Sequence, residues 1–198
     1  MEFLAKTVFG IFPLTICLAC CDAGYKPQTG DIVFQDLKTA SSEAIKAATE
    51  SPYSHCGIVK ETDSGFVVIE AVGPVREIDL GSWIEDGEGR FSALRLKEKA
   101  ELRKAVSVAE HFLGLPYDRA YSWNDEEFYC SELVYKAYDR GCGISLCELR
   151  QVDAYSLGLI DQQTREGLDS TFLKQQVVSP GDLARSPLLK MVYSNMVD

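Results

Sequence analysis

Histidine is scarce in this 198-residue chain, which has only His55 and His111. That scarcity argues against a His-rich metal centre, and no paired Cys clusters at metal-site spacing take its place. The one C-x-x-C, Cys17 to Cys20, falls in an apolar leader and reads as a processing feature. Basic residues are also short: Lys and Arg total 20 against 30 Asp and Glu, for a net charge of −10 with no basic cluster. Such a chain repels a phosphate backbone or an anionic lipid surface, so nucleic acid is not an expected partner. Internal repeats, low-complexity tracts and multiple membrane-length apolar runs are all missing. What remains, 46% hydrophobic and 25% charged residues, is the composition of one well-cored globular domain.

The leader MEFLAKTVFGIFPLTICLA sets Lys6 before an apolar stretch from Thr7 to Ala19, and Cys20 and Cys21 follow. The stretch is short for a bilayer span and matches the h-region of a secretory signal. Small residues followed by cysteine resemble a bacterial lipoprotein box, where the cysteine becomes lipidated and N-terminal. Cleavage before Cys20 puts Cys17 at −3, and cleavage before Cys21 puts Cys20 at −1; both acceptors stay open. Gly10 and Pro13 weaken the alternative of a buried helix. The expected organisation is a signal peptide at 1–19, a tether at 20–29 and one domain at 30–198, exported and lipid-anchored at the cell envelope. In that oxidising setting Cys142 and Cys147 either bridge or remain two small buried thiols. Cys56 sits in an apolar strand pattern and reads as core.

Along the domain, Ile32-Val33-Phe34 is a β-type run and Ser41–Glu50 has a helical pattern with Ala44, Ile45, Ala47 and Ala48 on its apolar side. Ser54–Lys60, Phe66–Val72 and Phe91–Leu96 read as strands. A helix is expected from about Glu98 to Phe112, ended by Gly114, and another around Cys130–Arg140, ended by Gly141. Ser179-Pro180-Gly181-Asp182 reads as a turn before a last segment. Strands and helices are segregated, which makes the fold class α+β.

Leu133, Val134, Ala137 and Tyr138 follow Cys130 at helical spacing, so this cysteine lies on a buried helix edge. A helix starting near Phe128–Ser131 puts the thiol at its N-terminus, where free N–H groups favour a thiolate. A competing register caps the helix at Asp125 and leaves Cys130 in the second turn. A thiol nucleophile needs a base. His111 lies within the earlier helix and reads as a surface or packing residue, whereas His55 opens a strand. Glu70, flanked by Val67-Val68-Ile69 and Ala71-Val72, raises the standing of His55. A hairpin loop at Thr62-Asp63 places His55 opposite Glu70. A loop at Thr62–Gly65 pairs Gly57 with Glu70 and leaves His55 on the same face, one pair away. An odd-length loop sends Glu70 to the other face.

Gly30-Asp31-Ile32-Val33-Phe34-Gln35, Tyr53-Ser54-His55-Cys56-Gly57-Ile58-Val59, Ile69-Glu70-Ala71 and Tyr129-Cys130-Ser131-Glu132-Leu133-Val134 together resemble the YiiX-like cysteine hydrolases. These form the circularly permuted branch of the NlpC-type papain-like superfamily, in which His precedes Cys. Gly114-Leu115-Pro116-Tyr117 is similar to the G-x-P-Y ahead of the nucleophile in NlpC-type cell-wall peptidases, and Ser179-Pro180-Gly181-Asp182-Leu183 adds a late motif. The resemblance implies a permuted papain-like fold, an antiparallel sheet packed against helices. It makes Cys130 the nucleophile, His55 the general base and Glu70 the polar third member. Tyr117 then either helps bind the substrate carbonyl or plugs the core. Ser54 and Ser131 are local hydrogen-bonding residues or walls of the site, and Glu132 is expected to point away or pair with a cation. No cofactor is called for. Cys130 attacks an acyl carbonyl, a thioester forms, and His55 protonates the leaving group. The expected partner is a small peptide or acyl substrate, met by a monomer that touches membrane only through its lipid anchor. Three readings follow: an amidase or peptidase on cell-wall peptide amides, a lipid acyl hydrolase or acyltransferase, and an idle envelope lipoprotein. The intact Cys/His/Glu set argues against the last. Wall peptides need polar anchors in the cleft and acyl chains an apolar tunnel.

Overall fold

A computed structural model describes residues 24–39 and 41–196. The leader and the two lipid-acceptor candidates, Cys20 and Cys21, lie outside the described residues. The β-rich runs give Ile32–Gln35 (β1), His55–Thr62 (β2), Gly65–Ala71 (β3), Val75–Asp79 (β4) and Ser92–Leu96 (β5). Arg150–Gln151 (β6) and Gln176–Val177 (β7) form a short ribbon, and Leu189–Ser194 (β8) returns to the main sheet. That sheet is antiparallel and ordered β4-β3-β2-β1-β5-β8. The helices are Ser42–Thr49 (α1), Leu80–Asp86 (α2), Leu102–His111 (α3), Cys130–Cys142 (α4), Gln162–Glu166 (α5), Ser170–Leu173 (α6) and Pro180–Ala184 (α7).

The central strands are apolar on both faces because both faces are covered. Ile32, Phe34, Cys56, Ile58 and Ile69 pack toward Ala105 and Ala109 of α3 and Leu133, Val134 and Ala137 of α4. Val33, Val59, Val68 and Ala93 point the other way, onto Leu80 and Trp83 of α2. Tyr25, inside the stretch read as a tether, is buried in this second core and donates to Asp31 at 2.6 Å.

The β2–β3 hairpin keeps even parity. Thr62 pairs with Gly65 and Ile58 with Ile69, so Gly57 stands opposite Glu70 and His55 shares their face. Asp63-Ser64 alone closes the turn, tighter than the four-residue loop that gives the same register. Gly57 is required: a Cβ there would lie 2.4 Å from Val68 Cγ1 and 2.9 Å from the Ile69 carbonyl.

Three boundaries depart from the sequence reading. α4 runs through Gly141 and stops at Gly143, whose φ of +67° supplies the left-handed cap. Gly141 serves packing, since a Cβ would come within 2.6 Å of the Ala105 backbone on α3. Ser179–Asp182 opens α7 rather than making a turn, with Ser179 as N-cap accepting from the Asp182 N–H at 3.0 Å and Pro180 in the first helical turn. α3 begins only at Leu102, four residues after the expected start. β4 and α2 were not read from the sequence at all.

Candidate active site

Cys130 is the first residue of α4, and Tyr129 caps it in an extended conformation. The chain before it is pinned: Phe128 donates to the Pro116 carbonyl at 3.0 Å and accepts from the Asp118 N–H at 3.1 Å. Extended backbone through Phe128 forbids the register capped at Asp125. Asp125 instead pairs with Lys136 at 3.0 Å and Arg140 at 2.7 Å. The Cys130 side chain thus meets the first-turn N–H groups, which have no intrahelical acceptor.

His55 opens β2, and its Nε2 lies 2.6 Å from Glu70 Oε2. The same oxygen accepts from the Trp83 indole at 2.9 Å, while Oε1 accepts from Arg76 Nε at 2.8 Å. Glu70 is 1% exposed; burial pushes its pKa up, but the bonds from His55 and Arg76 win and hold it below the usual carboxylate range. With Nε2 taken by Glu70, Nδ1 is the ring nitrogen left for the neighbouring Cys130 sulfur. Burial would neutralise the imidazole, but the bonds to Cys130 and Glu70 outweigh it and raise its pKa to about 9. Cys130 is held well below the free thiol value. Hydrogen bonding from the Cys56 thiol contributes most; burial opposes it, and the His55 ring and the Cys56 backbone N–H add to it. The buried site therefore favours a thiolate–imidazolium pair.

Tyr117 and Tyr121 both face this cluster, and burial and the Cys130 charge push both phenols up, keeping them neutral. Tyr121 is carried at φ +53° on a loop that the buried Asp118 carboxylate ties down by accepting from the Ala120 N–H at 2.8 Å and the Ser122 N–H at 2.5 Å. Ser54 accepts from Leu37 N–H at 3.0 Å and donates to Asp36 at 3.0 Å, while Ser131 donates to the Val178 carbonyl at 2.8 Å. Glu132 pairs with Lys136 at 2.7 Å, the expected cation. Burial still raises its pKa to about 7. His111 ends α3 with Nδ1 on the Ser107 carbonyl, and Cys142 and Cys147 are free thiols. Arg76, Trp83 and Tyr121 were not singled out by sequence; the first two sit on β4 and α2.

Residues 26–193 match the family described as permuted papain-like amidase enzyme, YaeF/YiiX, C92 family. The chain belongs to that family. The YiiX protein of Escherichia coli (strain K12) is 34% identical over 175 residues, covering 85% of this chain and 87% of its own. A crystal structure described as metalloprotein yiiX from Escherichia coli O157:H7 superposes with a TM-score of 0.81 at 35% identity, covering 87% of this chain and all of that one. In this member of the YaeF/YiiX family, no group of three or more His, Cys, Asp or Glu among the described residues is arranged to hold a metal ion.

Beside Cys130 this YaeF/YiiX-family chain opens a cavity of about 230 Å³. Ala44, Ile45 and Ala48 of α1 line it together with Val152, Ile160 and Phe172, and Tyr117, Tyr121 and Tyr129 lie beside the thiol. Ser54 and Ser131 also line it, and apart from Cys130 none of its lining residues is charged.

Proposed function

We propose that this cysteine hydrolase cleaves an amide or ester whose acyl part is an apolar chain, held in the cavity while Cys130 carries it as a thioester. The cavity carries this reading. It meets Cys130 directly, and its lining, mostly aliphatic and aromatic with a few hydroxyl side chains, offers no charged group beyond Cys130 itself to a peptide's carboxylates or amines. Seating such charges there without partners would cost several kcal/mol, whereas each buried methylene contributes ~0.8 kcal/mol. The cell-wall peptide amide, the other reading, draws on the leader and on the amidase description of the family, and the cavity offers it hydroxyl groups but no charged anchor.

The Cys130 thiolate attacks the carbonyl carbon, and the oxyanion is received by the first-turn N–H groups of α4. His55 gives its Nδ1 proton to the leaving nitrogen or oxygen as the C–N or C–O bond breaks. The neutral ring then takes a proton from water, hydroxide attacks the thioester, and the acid leaves as thiolate and imidazolium are restored. Glu70 keeps the ring oriented throughout, anchored by Arg76 and Trp83. The proposal sets the enzyme at the cell envelope, tethered through Cys20 or Cys21.

Purified protein is offered long-chain acyl amides, acyl esters and muropeptides, with Cys130→Ala as control. Release from the acyl substrates together with an acyl mass on the Cys130 peptide supports the reading. Turnover of muropeptides alone, or turnover undiminished in Cys130→Ala, overturns it.

A further inference from the structure

Pairing between β2 and β3 stops at Ile58 and Ile69, yet β2 starts three residues earlier at His55 and β3 runs on to Ala71, which pairs with Val75 of β4. The two strands therefore part at this end and leave a slot. In an antiparallel strand successive N–H groups point to opposite sides. Val59 donates toward β1, to the Asp31 carbonyl at 2.8 Å, so the Ile58 and Cys56 N–H groups point toward β3. Past the last pair, Cys56 finds no β3 partner there, and its N–H is turned toward the Cys130 sulfur. Its side chain lies on the α4 face with Phe34 and Ile58, in the same buried core as Cys130 and Leu133. The two thiols therefore lie side by side, close enough to act on each other.

We propose that Cys56 is a positioning residue of the active site: its thiol and its backbone N–H complete, with His55, a three-donor cradle that fixes the Cys130 sulfur as a thiolate in the slot between β2 and β3. The assignment of charge within the pair follows from surroundings. Cys130 has the His55 ring and a helix N-terminus, while Cys56 is enclosed by apolar side chains and has no cation of its own. The other titratable groups around Cys130 do not substitute for Cys56. On α4, Glu132 is tied to Lys136; from β3, Glu70 reaches the site only through His55; from the loop before α4, Tyr117 and Tyr121 stay neutral, as does the cap Tyr129, and Asp118 is spent on backbone N–H groups. A buried ion pair is costly unless further bonds satisfy the charged atoms. A thiol is a weak donor, so its bond is given up readily when the sulfur attacks carbon. The inference rests on Cys130 being the nucleophile.

The test is the pH profile of Cys130 alkylation by iodoacetamide in the full chain, read by mass mapping, for Cys56→Ser, Cys56→Ala and Cys56→Val. Ser retains a donor, Ala removes it, and Val removes it while filling the space. A hydrogen bond to a charged group corresponds to roughly a tenfold change in equilibrium. Ala and Val are therefore expected to move the profile about one pH unit toward alkali, with roughly tenfold slower labelling on the acid side, and Ser to track the unaltered chain. Val guards against a folding artefact in Ala, and near-ultraviolet circular dichroism verifies each variant. Profiles for Ala and Val that superpose on the unaltered chain, or a Ser profile displaced as far as theirs, overturn the role of Cys56 alone. A free-thiol profile for Cys130 in the unaltered chain overturns the nucleophile reading as well.

Discussion

Replacing Glu70 by Gln removes one charge from a carboxylate with three partners and preserves its outline. The carboxylate accepts from His55 at 2.6 Å, from Trp83 at 2.9 Å and from Arg76 at 2.7 and 2.8 Å. Arg76 has a half-exposed side chain and Asp86 at 3.8 Å, so it turns to solvent at little cost. His55 has no such escape. Its bond to a charged acceptor is worth ~1.5–3 kcal/mol, and downgrading it to a neutral one forfeits much of that. At 1.36 kcal/mol per unit, the imidazolium loses roughly one to two pKa units. The expected outcome is a His55 titration that falls from about 9 toward the ordinary histidine range. Imidazole NMR reads this directly, because the chain has only two histidines and a single His111 substitution assigns both signals. Alkylation of Cys130 should persist near neutrality, since Cys56, the residual imidazolium and the helix N-terminus still favour the thiolate. Turnover should drop at least ~100-fold, the usual scale for general acid–base assistance. A His55 titration unmoved or raised in Glu70→Gln would refute the reasoning.

Three further outcomes are expected. Gly57→Ala drives a methyl to within 2.4 Å of Val68 and 2.9 Å of the Ile69 carbonyl; it should destabilise by ~1–3 kcal/mol in urea, and an unchanged midpoint counts against the required close approach. Conformational stability should depend on the pair as follows. His55, raised to about 9, contributes fully below its unfolded value of ~6.5 and loses this as pH rises through the folded value. Cys130, lowered, contributes above its unfolded ~8.5 and loses this as pH falls through its folded value. Between ~6.5 and ~8.5 folded and unfolded pairs bind equal numbers of protons, so the stability difference between the unaltered chain and Cys130→Ala should grow from about pH 5 to about pH 7; a flat difference argues against the ion pair. Ala48→Phe narrows the cavity without touching the thiol: it should raise KM for long acyl chains severalfold and leave iodoacetamide labelling unchanged, and equal losses in both would place its effect on folding instead.

The helix stripe behind Cys130 is legible because it depends on local period alone, whereas the parity of Glu70 against His55 turns on the length of the hairpin loop, which only the Thr62–Gly65 pairing decides. The start of α4 was not decided by that period. It follows from the pinning of Phe128 by Pro116 and Asp118, a contact made across the loop. Gly141 misled because a glycine that ends a helix and one that admits a neighbouring helix look alike until Ala105 is in place. Arg76 and Trp83 ride on β4 and α2, short elements whose polar exteriors leave little pattern. Cys56 was read as core, and it is core; its place against the nucleophile arises only where β2 and β3 diverge.

The order of the parts along the chain also governs when the site can exist. During synthesis His55 and Glu70 emerge first, with the strands that carry them, and Cys130 follows some 60 residues after Glu70. Until α4 docks on β2, Cys130 is an ordinary thiol with a pKa near ~8.5, mostly protonated and slow to react. The enzyme is therefore latent until its domain has assembled. The nucleophile is armed by tertiary assembly itself, and only where the whole domain can close.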